Sequence, residues 1–161
     1  MKKIISTLIA ISIFCAISIQ MVAVGEKSLE VTLTGYSLLY QAFMQALGQK
    51  TDIRRDWISE NQVQVQLTDK CFCVLTTDGK SDFANVTEVL HTAAPESDKD
   101  MLSVRCSMVS TIAAFDPDLE LDTITDMVMN ILPNSGEYYT DYCKYRYTKA
   151  ANVIMLYISP K

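Results

Sequence analysis

The chain has 161 residues, with 14 Lys+Arg against 19 Asp+Glu and a formal net charge of −5. It offers no basic stripe to neutralise phosphates, which argues against nucleic acid and anionic membrane surfaces as partners. Only five glycines occur and none forms a phosphate-cradling loop, so no nucleotide or other cofactor is expected.

The N-terminus reads as an export signal. Lys2 and Lys3 form a positive start, and residues 4–19 are an apolar run broken only by Ser and Thr. Ala23-Val24-Gly25 then places small residues at the −3 and −1 positions of a signal-peptidase site. Cleavage is expected after Gly25, with Ser18 as a second position, giving a secreted or extracytoplasmic product. The alternative is an uncleaved anchor, because extension through Val24 approaches the roughly 20 apolar residues that span a bilayer. Cys15 is a poor lipidation site, since Phe14 rather than a small residue precedes it. Residues 26–161 would carry 12 Lys+Arg against 19 Asp+Glu, a net charge of −7. That length suits a single domain with its own hydrophobic core.

Along this segment, Leu29, Val31 and Leu33 alternate as a short strand. Thr34 is the expected N-cap of a helix running to Leu47, with Gly48 as its stop. Leu39, Phe43, Ala46 and Leu47 form its expected buried face, with Tyr36 and Tyr40 beside them. Val63, Val65 and Leu67 alternate with Gln62, Gln64 and Gln66, the pattern of a half-buried antiparallel strand. "CFCVLTT" (71–77) is apolar on both faces and reads as a central strand. Asp78-Gly79 marks a hairpin, and residues 84–94 read as another strand. Asn85-Val86-Thr87 fits a glycosylation sequon, which has meaning only in a eukaryotic product.

Ser97 or Asp98 caps a second helix reaching Phe115, with Leu102, Cys106, Val109 and Ala113 on one stripe and Met101, Met108, Ile112 and Phe115 on the next. A third helix covers residues 119–132 and ends at Pro133 to Gly136. Residues 137–149 and 152–159 are rich in Tyr and β-branched residues, which predicts a closing hairpin. The whole predicts an α+β fold: an antiparallel sheet of about 5–6 strands with three helices on one face. The succession "LTGYSLLYQAFMQAL", a polar strand pair, "SMVSTIAAFDPDL" and a closing "LYISP" resembles small exported bacterial α+β domains of unassigned function. That resemblance implies an accessory module outside a bacterial cell, with no catalytic residues to carry over.

Residue chemistry argues against an enzyme. His91 is the single histidine, and its surroundings, "EVLHTAA", hold no nucleophile signature. Asp116, Asp118, Glu120 and Asp122 alternate, yet an EF-hand loop begun at Asp116 meets Leu121 and Met127 where Gly and Glu are required. Cys71, Cys73, Cys106 and Cys143 are read as either buried thiols or disulfide partners, with Cys106–Cys143 the candidate bridge. One histidine and a lone C-x-C do not make a zinc site.

"YYTDYCKYRY" (138–147) divides by strand parity into Tyr139, Cys143, Tyr145 and Tyr147, expected to face the helices, and Tyr138, Tyr142, Lys144 and Arg146, expected to face solvent. With Met155 and Tyr157 of the partner strand, the second set forms a strip suited to an unidentified protein or peptide partner. Ordinary cross-strand packing is the competing account. An alternative function is a small-molecule or glycan carrier with a cleft between the sheet and helix 36–47, lined by Tyr36 and Tyr40.

Overall fold

A computed structural model describes residues 28–161. The expected signal segment and Cys15 lie outside the described residues. The first helix, α1, spans Leu33–Ala46 and is capped by Thr32, whose hydroxyl accepts the Gly35 N–H at 3.0 Å. The cap thus falls two residues before Thr34. Glu30 adopts a φ of 57°, which interrupts the expected strand at 29–33 and leaves one bridge, Thr32 to Asn85. The buried face of α1 is Leu33, Tyr36, Ser37, Tyr40 and Met44, while Leu39, Ala46 and Leu47 are exposed. The tyrosines displaced the expected Leu39 stripe because their hydroxyls find partners inside.

Four strands follow as a meander: β1 (Arg54–Trp57), β2 (Gln62–Gln66), β3 (Cys71–Thr77) and β4 (Val86–Ala93). A bulge between Thr76 and Thr77 lets Val86 and Val89 both point inward despite their odd spacing. Helix α2 (Asp98–Phe115) starts at Ser97, whose hydroxyl accepts the Asp100 N–H. Helix α3 begins as Leu121–Asp126, passes through a π-helical segment, Met127–Ile131, and closes with the α turn Leu132–Ser135. Gly136, at φ 74°, ends it in the left-handed conformation that glycine adopts without steric cost. The chain ends with β5 (Glu137–Tyr139), β6 (Cys143–Ala150) and β7 (Val153–Pro160).

The fold is α+β, with a sheet of seven antiparallel strands in the order β1-β2-β3-β4-β7-β6-β5. The sheet exceeds the expected five or six strands because β1 forms ahead of the glutamine strand and the tyrosine run breaks in two. Residues 140–142 turn the chain between β5 and β6.

All three helices lie on one face. One row of paired residues facing them runs Val65, Cys73, His91, Leu156 and Tyr147 across β2, β3, β4, β7 and β6. Helix α2 is the inner member of the helical layer, packed by both α1 and α3. Every residue from Ser107 to Asp116 is therefore buried, whereas Leu102 and Cys106, toward its N-terminal end, remain exposed and half-buried. Among the described residues no helix is long and apolar enough to cross a membrane.

Candidate functional site

Among the described residues no helix lies on the opposite sheet face, whose residues fall into stripes because adjacent antiparallel strands bring equal parities together. One row runs Gln64, Val74, Leu90, Tyr157, Arg146 and Glu137, from β2 through to β5. A second runs Gln66, Phe72, Thr92, Met155 and Thr148. Read along the strands, this is an amide margin (Gln62, Gln64), an apolar centre, and a charged and aromatic margin on β5 and β6. Gln66 is spent locally, donating to the Thr68 and Cys71 carbonyls in the β2–β3 turn.

The apolar centre is tightly laid. Val74, Leu90 and Thr92 are buried, and Phe72, Met155 and Tyr157 are half-buried. Burial raises the Tyr157 hydroxyl above its ordinary range, and the Glu88 carboxylate beside it adds to the shift. Glu88 Oε2 and Thr92 Oγ1, both on this face, are buried and meet no hydrogen-bond partner among the described residues. At the other margin Lys144 Nζ stands 5.1 Å from the centre of the Tyr139 ring. The Tyr139 hydroxyl donates to Glu137 Oε2 at 2.7 Å and Arg146 Nε to Glu137 Oε1 at 3.1 Å. The Tyr139 bond, followed by the two cations, holds the Glu137 carboxyl below its usual range.

The structure brings together four of the six residues named for the strip, Lys144, Arg146, Met155 and Tyr157. Tyr138 does not join them. It pairs with Tyr145 and packs against the core on the helix side, and Tyr139 takes its place on the open face. Tyr142 sits in the turn, 61% exposed. The reason is the turn at 140–142, which resets the alternation that a single continuous strand would have kept. Phe72, Val74, Leu90 and Thr92 were missing from the sequence-derived strip. The signal for the first two was present, since "CFCVLTT" is apolar on both faces and a second apolar face needs a use.

The space between the sheet and α1, expected as a carrier cleft, is filled. Tyr36 and Tyr40 are fully buried; Tyr36 stacks on Phe115 with ring centres 4.9 Å apart. The Tyr36 hydroxyl lies 3.3 Å from Thr111 Oγ1 and 3.4 Å from Cys73 Sγ. Ser107 Oγ lies 2.7 Å from the Tyr40 hydroxyl and 2.8 Å from His91 Nε2. A serine beside an imidazole is the geometry of a nucleophile and its base, but both residues are wholly enclosed. Burial lowers the His91 pKa to about 4, so the ring is neutral near pH 7. The contact ties β4 to α2 and α1 and offers no route for a substrate.

The four cysteines among the described residues, Cys71, Cys73, Cys106 and Cys143, are free thiols. Cys143 Sγ lies 3.9 Å from the Phe115 carbonyl, nine residues along α2 from Cys106. At about 1.5 Å per residue that separation is roughly 13 Å, too far for a bridge, which needs Cα atoms within about 7 Å. Burial raises every one of these thiols, Cys143 to about 11, so none is a ready nucleophile. Of the alternating acids, Asp116 turns inward and accepts from the Thr140 hydroxyl at 2.6 Å and the Tyr145 hydroxyl at 3.0 Å. Asp118, Glu120 and Asp122 are exposed.

Among the described residues these features define an α+β protein with helices on one side of the sheet and a striped face on the other. Searched against protein families, curated proteins and solved structures, the chain gives no match.

Proposed function

We propose that this chain is an exported, non-enzymatic accessory protein, of the kind found outside bacterial cells, that binds a polypeptide through its open sheet face. The observation that carries this reading is the apolar patch Val74, Leu90, Met155 and Tyr157, from two adjacent rows of the central strands, with no helix over it among the described residues. A merely solvated antiparallel face would alternate to polar residues there. The partner is a segment with apolar side chains for this patch and an acidic group for Lys144. Its polar groups would meet the amides of Gln62 and Gln64. Binding through an edge is disfavoured, because β1 has four residues, two of them arginine, and β5 only three. The sealed Ser107–His91 contact and the protonated thiols support the non-enzymatic reading.

The test places a photo-crosslinking residue at Met155 or Tyr157 and, as control, at exposed Leu38 on α1, in the cells that make the protein. Adducts from the open-face positions that Lys144→Glu abolishes are expected. Adducts from Leu38 alone, or none from either open-face position, would sink the proposal. An intact mass of the protein recovered outside the cytoplasm tests cleavage after Gly25.

A further inference from the structure

A cleft of about 300 Å³ lies on the helical side, between α2, the π segment of α3 and the β6–β7 hairpin. One face of α2 supplies Met101, Val104, Arg105 and Met108, spaced i, i+3, i+4, i+7. Val128 and Met129 come from the π segment, where the Leu132 N–H bonds back to the Met127 carbonyl, and Ile154 closes the floor. A π turn widens a helix locally and recurs at functional sites. Three methionine side chains give the walls a flexible, polarisable lining that adapts to apolar shapes.

Polar groups occur only toward the hairpin and the rim. Arg105 and Lys149 line the cleft, and neither forms an ion pair or side-chain hydrogen bond among the described residues. The Tyr147 hydroxyl is likewise without a hydrogen bond, and Arg105 is the one charge that acts on it. No Asp or Glu lines the cleft, although the chain carries 19 acids against 14 bases. Two unpaired cations beside an apolar, sulfur-rich hollow in an acidic protein are complementary to one kind of molecule.

We infer that this cleft binds a small amphiphile with an anionic head, held by Arg105, Lys149 and the Tyr147 hydroxyl, and a short apolar tail between Met101 and Met129, above the buried Met108. The volume is at the lower end of the range for small-molecule pockets, roughly 300–1,000 Å³, so the tail is short. The site stands on the opposite side of the sheet from the polypeptide platform, and neither depends on the other.

The test titrates the protein, below the micellar range, with decanoate, monodecyl phosphate, decanol and decyltrimethylammonium, following the methionine methyl resonances by NMR. Saturable shifts of Met101, Met108 and Met129 with decanoate or the phosphate are expected, and the tighter of the two identifies the head group. Decanol and the cation should bind at least about tenfold more weakly. Arg105→Gln and Lys149→Gln, both at the surface, should each weaken the anion about tenfold and leave the remaining spectrum unchanged. Absence of saturable shifts with either anion overturns the inference, as does equal binding of the cation or affinity unmoved in the double variant.

Discussion

The two faces of the sheet use the same strands and differ only in which parity they present. On the helix side, buried polar groups meet one another: His91 with Ser107, Ser107 with Tyr40, Tyr36 with Thr111, and Asp116 with Thr140 and Tyr145. On the other side the polar groups stand mostly at the margins; among the described residues two buried atoms there, Glu88 Oε2 and Thr92 Oγ1, meet no hydrogen-bond partner, as do His91 Nδ1 and Ser110 Oγ on the helix side. Burial in a low-dielectric interior makes an unpaired polar atom costly, and the helix side accordingly pairs most of its polar groups. An open face can leave bonds for another molecule. The helix side thus governs stability, and recognition is proposed for the other.

The largest expected effect tests the closed face directly. Asp116→Ala would leave two hydroxyls without their acceptor and should lower unfolding stability by about 3–4 kcal/mol, measured by urea titration. A loss below about 1 kcal/mol would mean that water replaces the carboxylate there, and the contrast between the faces would weaken.

Acid should act through His91. Its folded pKa of about 4 lies below the ordinary 6.5, so the unfolded chain binds the extra proton between those values. The stability this contributes is complete above pH 6.5 and is lost as pH falls toward 4, amounting to about 3 kcal/mol. Denaturation curves at pH 7 and pH 4.5 should diverge less for His91→Gln than for the natural chain. Parallel losses in both proteins would remove His91 as the cause.

Tyr40→Phe deletes one hydroxyl but leaves Ser107 its bond to His91. It should cost about 1–1.5 kcal/mol, read from the same titration. At the hairpin between β6 and β7, Ala151 has a φ of 53° where glycine is favoured. Ala151→Gly is expected to raise stability by about 0.5–1 kcal/mol, seen as a higher urea midpoint.

The smallest stability effect belongs to the open face. Lys144→Ala should change stability by about 0.5 kcal/mol or less, since the contact with Tyr139 is at the surface. The same variant should lose the crosslinked adducts described above. Wholesale unfolding of this variant would show that the margin serves the sheet instead.

Much of the fold was legible as periodicity. The alternation in 62–67, the two-sided apolar run 71–77 and the cap at Ser97 each survive in the structure, because each is a local pattern. The face of α1 was not legible, since Tyr36 and Tyr40 read as marginal until Thr111, Cys73 and Ser107 supply partners from 37 to 75 residues away. The strip was legible in part for a related reason. Lys144 and Arg146 share a strand with consistent parity, but a turn at 140–142 exchanges Tyr138 for Tyr139.

The sequence by itself determined the α+β class, the placement of most strands and of the second helix, and the acidic charge, because these follow from local propensity and composition. Tertiary structure alone decided that His91 is sealed, that Cys106 and Cys143 lie too far apart to bridge, and that the helices among the described residues all gather on one sheet face. It also set Arg105 and Lys149 at the mouth of a methionine-lined cleft. Those outcomes depend on which distant surfaces meet, and no single stretch of chain encodes its own neighbours.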